Sequence, residues 1–229
     1  MTNSYAIATV KPWNVEIFQR RVDALPGQWH LIDDKAQLTI KRLRDIDPRY
    51  VFFPHWSWRV PDAILSEFEC VCFHMTDVPY GRGGSPLQNL IWRGHIETKV
   101  SALRMMSEMD AGPVYMKRPL SLDGRAEAIY RRLAEVVFDM MDEIVATEPT
   151  PVPQHGEPVV FPRRKPADSE LPRVGDGRAL YDHIRMLDAP TYPLAFVDWG
   201  HFRLEFAEAE LQNDGSVSAR VSIRCREDK

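Results

Sequence analysis

The 229-residue chain is 44% hydrophobic, 27% charged and 10% aromatic, with a formal net charge of −4. That composition excludes disordered, collagenous and disulfide-scaffold classes, and the length allows one full domain plus a small appendage. No apolar run approaches the roughly 20 residues that cross a bilayer, and Met1 to Val10 lacks the features of a signal peptide. The expected location is therefore cytoplasmic, and mild acidity predicts no general attraction for nucleic acid.

Tyr5 to Val10 predicts a short buried strand and Gln28 to Ile32 a second one. Asp33 and Asp34 read as N-caps of a helix running through Ile46. Tyr50 to Pro54 is a third strand, Pro61 opens a short helix, and Phe68 to Phe73 is a fourth strand that stops at His74. Strands alternating with helices predict a mostly parallel sheet, whose ligands bind beyond the carboxyl ends of the strands. The Gly81–Pro86 run, GRGGSP, leads into a helix with Ser85 as N-cap, Pro86 at its first position and Gly94 past its end. Lys99 to Leu103 and Pro113 to Lys117 predict two more strands. Ile129, Leu133, Val136, Met140 and Ile144 then share one face of a helix over 124–146.

Seven prolines fall between Pro149 and Pro172, which predicts a linker or an extended wrap. A helical segment over Leu180–Leu187 follows, then a β-hairpin of His201–Leu211 and Ser216–Cys225 about an Asn-Asp-Gly turn. The expected division is residues 1–148 as the main domain and 149–229 as a proline-rich linker with a small helix and β-hairpin subdomain. Cys70, Cys72 and Cys225 read as small buried hydrophobes, since their number and spacing suit neither a disulfide framework nor a zinc site; no metal is expected.

Three features could carry chemistry. His74 ends a strand, Asp110 lies in Met109-Asp110-Ala111-Gly112, and GRGGSP offers free backbone N–H groups. Taken singly, each has an ordinary structural explanation: a bonded histidine, a turn aspartate, a glycine-rich turn.

Their order and spacing together resemble the folate-dependent formyltransferases. His74, Pro79, Arg82, Gly83 and Pro86 fall without a gap on that family's H-x-S-L-L-P and R-G-x-x-P positions. Glu97-Thr98 and Met109 to Gly112 are similar to its E-T-G-V and L-D-T-G segments, with Asp110 following His74 by 36 residues. The resemblance covers roughly Tyr5 to Ala146. It implies an α/β fold, a Rossmann-like domain with a small β-rich C-terminal subdomain. It also implies transfer of a formyl group from 10-formyltetrahydrofolate to an amine, without a metal. The amine must lose a proton as it attacks. His74 can take that proton or, once charged, stabilise the oxyanion, with Asp110 orienting it or relaying its proton.

One departure stands out. Where the family has an asparagine that binds the oxyanion, this chain has Cys72, and a thiol donates only weakly. Asn89 or a backbone N–H is the expected substitute donor. By the same resemblance, Pro54, His55, Trp56, Ser57, Trp58 and Gly83 would hold the folate. Trp13, Asn14, Arg82, Arg163, Arg164, Arg185 and Tyr192 would hold the acceptor. The FHMTD and GRGGSPLQN variants resemble the branch that formylates nucleotide-linked amino sugars in pseudaminic-acid-type pathways for cell-surface glycans. A small-molecule nucleotide-sugar acceptor, no nucleic acid, no membrane and room for a homodimer are the matching expectations. The alternatives are a methionyl-tRNA or peptide-synthetase-type formyltransferase, or a non-catalytic folate or nucleotide-sugar binding module.

Overall fold

The N-terminal strand β1 (Ser4–Ala8) is buried along almost its whole length, so it must lie between two other strands. The computed structural model, which describes residues 3–226, places it between β2 (Gln28–Ile32) and β3 (Pro48–Pro54). Both pairings are parallel, and β3 pairs in parallel with β4 (Cys70–His74). β6 (Glu97–Arg104) then pairs antiparallel with β4, and β7 (Val114–Ser121) completes the order β2-β1-β3-β4-β6-β7. The α/β, mostly parallel architecture expected from strand–helix alternation is present. The connecting helices are α1 (Pro12–Arg21), α2 (Ile40–Ile46) and α3 (Asp62–Glu67). Ala6, Ala8, Ile32, Leu43, Val51, Phe53, Val60, Ile64 and Cys70 form one apolar cluster on this sheet.

The helix expected from Asp33 to Ile46 is two pieces. Asp34 caps only a single 3₁₀ turn over Lys35–Gln37, accepting the Ala36 N–H at 2.8 Å. Thr39 then adopts extended backbone and caps α2 by accepting the Arg42 N–H at 3.2 Å. A second capping residue so close to the first restarts the helix rather than continuing it.

The chain forms two compact units, and the boundary is not the linear one expected at 148. The first unit comprises residues 1–83, 98–120 and 131–160, and the second residues 84–97, 121–130 and 161–229. The second unit gathers three separate segments because backbone bonds join them. Gly84 N–H donates to the Phe161 carbonyl, Leu122 N–H to Ile96, and Glu127 N–H to Asp188. Gly84 is needed here, since a Cβ on it would lie 2.5 Å from the Arg163 Cα.

The second unit holds α4 (Pro86–Trp92), the start of α5 (Ala126–Thr147), α6 (Gly177–Arg185) and the sheet β9 (Ala195–Trp199), β10 (Phe202–Leu211), β11 (Val217–Cys225). The expected hairpin is β10–β11; β9 escaped the sequence reading. Val221 and Ile223 face the same side as Phe206 and Leu204, yet that side is more open than a half-buried strand, with Ile223 65% exposed. Cys225 is exposed too, unlike buried Cys70 and half-buried Cys72. Ser85 begins α4 without capping it. Its backbone is left-handed and its hydroxyl accepts the Arg164 N–H instead. The proline-rich stretch is not wholly irregular either, since Val159–Phe161 form a short strand, β8, which joins β5 (Tyr80–Gly83), and Val152 bridges to Val114. Among the described residues, no helix is long and apolar enough to cross a membrane.

Arg185 is the buried crosslink of the second unit. Its guanidinium donates to Asp182 at 2.6 Å and to the carbonyls of Leu122 (2.6 Å) and Gly124 (2.8 Å). The side chain is therefore committed to the fold and not free to hold an acceptor, as the sequence reading had it. Arg185→Met strands two carbonyls and is expected to cost about 3 kcal/mol in urea denaturation. Unchanged stability with weakened acceptor binding would return Arg185 to the acceptor site.

Candidate active site

His74 ends β4, on the same face of the strand as Cys72 two residues earlier. Its ring is buried, and Nε2 lies 2.7 Å from the Gly81 carbonyl. A carbonyl only accepts, so Nε2 carries the proton and Nδ1 presents a lone pair. Nδ1 faces Asp110 Oδ2 at 3.6 Å. Asp110 Oδ2 in turn accepts the Gly83 N–H at 2.9 Å. Two acceptors thus converge with a gap too wide for a direct hydrogen bond and suited to one small donor, an amine or a water. The spacing predicted from the sequence brings His74 and Asp110 together.

The Asp110 loop adopts a conformation few side chains tolerate. Asp110 has φ of 53°, in the left-handed region. Gly112 follows because a Cβ there would sit 1.8 Å from the Arg104 carbonyl oxygen. The feet of the loop are held by Met105 N–H to Cys70 and Arg104 N–H to Pro113. Its tip is held by Gln154, which sequence reading missed. Gln154 Nε2 donates to the carbonyls of Asp110 and Gly112, each at 2.8 Å. Its Oε1 accepts from Arg82 Nε (3.1 Å) and Nη2 (2.8 Å). Arg82, expected to meet the acceptor, spends those donors on Gln154. Nothing in a proline-rich stretch marks one glutamine as special.

The oxyanion donor is where the expectations change most. Burial pushes the Cys72 thiol up, with the Asp110 charge adding to it, so the sulfur stays protonated and a weak donor. Asn89 does not substitute. Its amide N–H groups go to the carbonyls of Gly84, Ser85 and Pro162 at 3.0–3.1 Å, and its oxygen accepts from Arg93. The amide is fully occupied in holding the second unit together.

The turn after β3 carries the expected folate residues. Pro54 is buried, and its carbonyl accepts the Asn14 side chain at 3.1 Å. Asn14 also donates to Thr9 Oγ1, so this buried amide ties the ends of β1 and β3 together. It is a brace, not an exposed acceptor contact. His55 has a left-handed backbone, and Trp13 is buried beside it with ring centroids 5.5 Å apart. Trp56 and Trp58 meet edge-to-face at 5.0 Å, while Ser57 is exposed. The buried Trp56 indole N–H has no acceptor among the described residues. In the second unit, Arg163 is exposed and Arg164 half-buried, its Nε likewise without an acceptor. Tyr192, half-buried, stacks on Tyr130 with ring centroids 5.3 Å apart. No group of three His, Cys, Asp or Glu side chains able to hold a metal occurs among the described residues.

Burial, with the Lys11 charge beside it, pushes His55 down to about 3. The folded state thus holds a neutral imidazole that the unfolded chain protonates near pH 6.5. Its stabilising contribution is complete above that pH and is lost as pH falls toward 3, by at most about 1.4 kcal/mol per pH unit. His55→Gln is expected to flatten the decline of stability in that window, measured by urea denaturation at stepped pH. Parallel curves for variant and wild type would contradict the assignment.

A family model described as "Methionyl-tRNA formyltransferase, C-terminal domain" matches residues 166–224. The methionyl-tRNA formyltransferase of Bacillus pumilus is 23% identical over 213 residues, covering 89% of this chain and 65% of that protein. The chain spans about half the length of several other such enzymes. A sugar N-formyltransferase from a Shewanella species shares the fold, with a TM-score of 0.66 at 15% identity over 99% of both chains. The solved structure titled methionyl-tRNA formyltransferase from Clostridium thermocellum is 43% identical, with a TM-score of 0.95, over 98% of this chain and 100% of that one. With that identity along both chains, this chain belongs to the formyltransferase family of which the methionyl-tRNA formyltransferases are members.

Proposed function

We propose that the chain transfers a formyl group from 10-formyltetrahydrofolate to a primary amine, and that the amine is the aminoacyl end of methionyl-tRNA. The observation that carries the chemistry is the pair of acceptors, His74 Nδ1 and Asp110 Oδ2, 3.6 Å apart. An attacking amine has N–H groups to give to both, and it must surrender one proton. His74 Nδ1 takes that proton, while Asp110, fixed by the Gly83 N–H, stabilises the imidazolium so formed. The imidazolium returns the proton to the folate nitrogen as that nitrogen's bond to the formyl carbon breaks and tetrahydrofolate leaves.

The donor site fits a flat heteroaromatic ring. Trp56 and Trp58 offer apolar faces. A bound formyltetrahydrofolate supplies the carbonyl carbon; this chain's residues orient it and manage the proton.

The choice of tRNA as acceptor rests on the names of the relatives, at 23% and 43% identity. It replaces the expectation of an acceptor unrelated to nucleic acid. A nucleotide-linked amino sugar is the second reading, and the charge pattern of the C-terminal sheet favours it. Arg203 pairs with Asp198, Arg220 with Glu208 and Arg224 with Glu205. Arginines neutralised in this way make a poor phosphate-tracking surface. Wild-type protein with 10-formyltetrahydrofolate is expected to formylate methionyl-tRNA, read by mass spectrometry of the released amino acid. Transfer to nucleotide-linked amino sugars alone would establish the second reading, and consumption without an amine would overturn both. His74→Ala and Asp110→Ala are each expected to lower kcat by about 10²–10⁴-fold at wild-type melting temperature.

Cys72→Asn puts a strong donor where the thiol is weak. It is expected to raise kcat, by up to about 10²-fold. An unchanged kcat would mean that another group already holds the oxyanion.

A further inference from the structure

We propose that Gln154 is a positioning residue that sets the distance between His74 and Asp110, acting as a four-bond clamp from the proline-rich segment. The inference rests on the reading of His74 and Asp110 as the reacting pair, and it assigns a task to a stretch that composition alone labels a linker.

Asp110 combines a left-handed backbone with a demanding position, because its carboxylate must face Nδ1 across a 3.6 Å gap. The loop that carries it is tied at its feet, at Met105 and Pro113, and those ties do not fix its tip. Gln154 does. Both of its N–H groups are used, one on the Asp110 carbonyl and one on the Gly112 carbonyl, so it pins the residues on either side of Ala111. Its oxygen takes two N–H bonds from Arg82. Arg82 lies in β5, next to Gly83, whose N–H holds the Asp110 carboxylate. The same strand contains Gly81, whose carbonyl fixes the His74 ring. Gln154 therefore joins the loop that carries Asp110 to the strand that aims both side chains.

The segment around Gln154 is built to hold it still. Pro151 and Pro153 flank Val152, and fixed φ at both limits the chain's freedom. Val152 exchanges both backbone hydrogen bonds with Val114, on the strand that follows the loop, at 2.8 and 2.9 Å. Val152, Pro153 and His155 are exposed, and Gln154 alone turns inward among them. Only an amide serves at this position. A glutamate would still accept from Arg82 but would set a carboxylate against two carbonyl oxygens. An aliphatic side chain would leave all four partners unpaired.

Gln154→Glu, similar in shape, is the direct test, with Gln154→Leu as the second variant. Two readouts apply: ring ¹⁵N resonances of His74 in the ligand-free full-length protein, assigned with His74→Gln, and steady-state kinetics with 10-formyltetrahydrofolate. In whichever variant keeps the wild-type melting temperature, the His74 Nδ1 resonance is expected to move. Its kcat should fall at least about 10-fold, with KM for the formyl donor within about twofold. A folded variant with unmoved His74 resonances overturns the proposal. The resonance comparison needs no turnover, so it decides the role of Gln154 even if the wild type transfers no formyl group to any acceptor. Loss of folding in both variants would overturn it as well, by making Gln154 a residue of general stability.

Discussion

The site depends on a carboxylate and an imidazole held close together without touching. Asp110 Oδ2 is kept in place by the Gly83 N–H, His74 Nε2 by the Gly81 carbonyl, and the two reactive atoms face each other at 3.6 Å. If the gap closed, the pair would become an ordinary ion pair with no room for an amine. If it widened beyond about 6 Å, no single nitrogen could donate to both. Most of the local architecture follows from this spacing: a strand that ends at His74, a short strand that presents Gly81 and Gly83, and a loop that tolerates left-handed backbone at Asp110.

The sheet makes that arrangement inexpensive. Parallel strands β1, β3 and β4 end at one edge, so the turns that follow them collect there. Asn14 braces the ends of β1 and β3, and the aromatic turn from Pro54 to Trp58 follows β3 there. The second unit is fastened by polar groups the sequence presents as ligands. Arg185 and Asn89 satisfy five backbone carbonyls between them, which is why their side chains are buried and why they are unavailable for chemistry.

How far the sequence could be read depended on whether a signal was local. Strand runs such as Gln28–Ile32 appear where their apolar patterns place them, and the His74–Asp110 pair was legible because a family motif preserves its spacing. The helix through Ile46 failed because Thr39 competes with Asp34 as a cap, a contest that propensity does not resolve. Arg185 was placed at the acceptor by resemblance, but burial decides whether an arginine is a ligand or a brace, and burial is a property of the folded chain. Gln154 was invisible for the same reason. Its importance comes from four bonds to three residues, Asp110, Gly112 and Arg82, that lie 42 to 72 residues away.

Because everything here turns on which atom of His74 is free to accept a proton, the most direct measurement is its tautomer. Ring ¹⁵N spectroscopy of the wild-type protein at neutral pH, with His74 assigned by substitution, reports it. The account predicts a protonated Nε2 and a bare Nδ1 in the neutral ring. A neutral ring with its proton on Nδ1, bonded to Asp110, would contradict it.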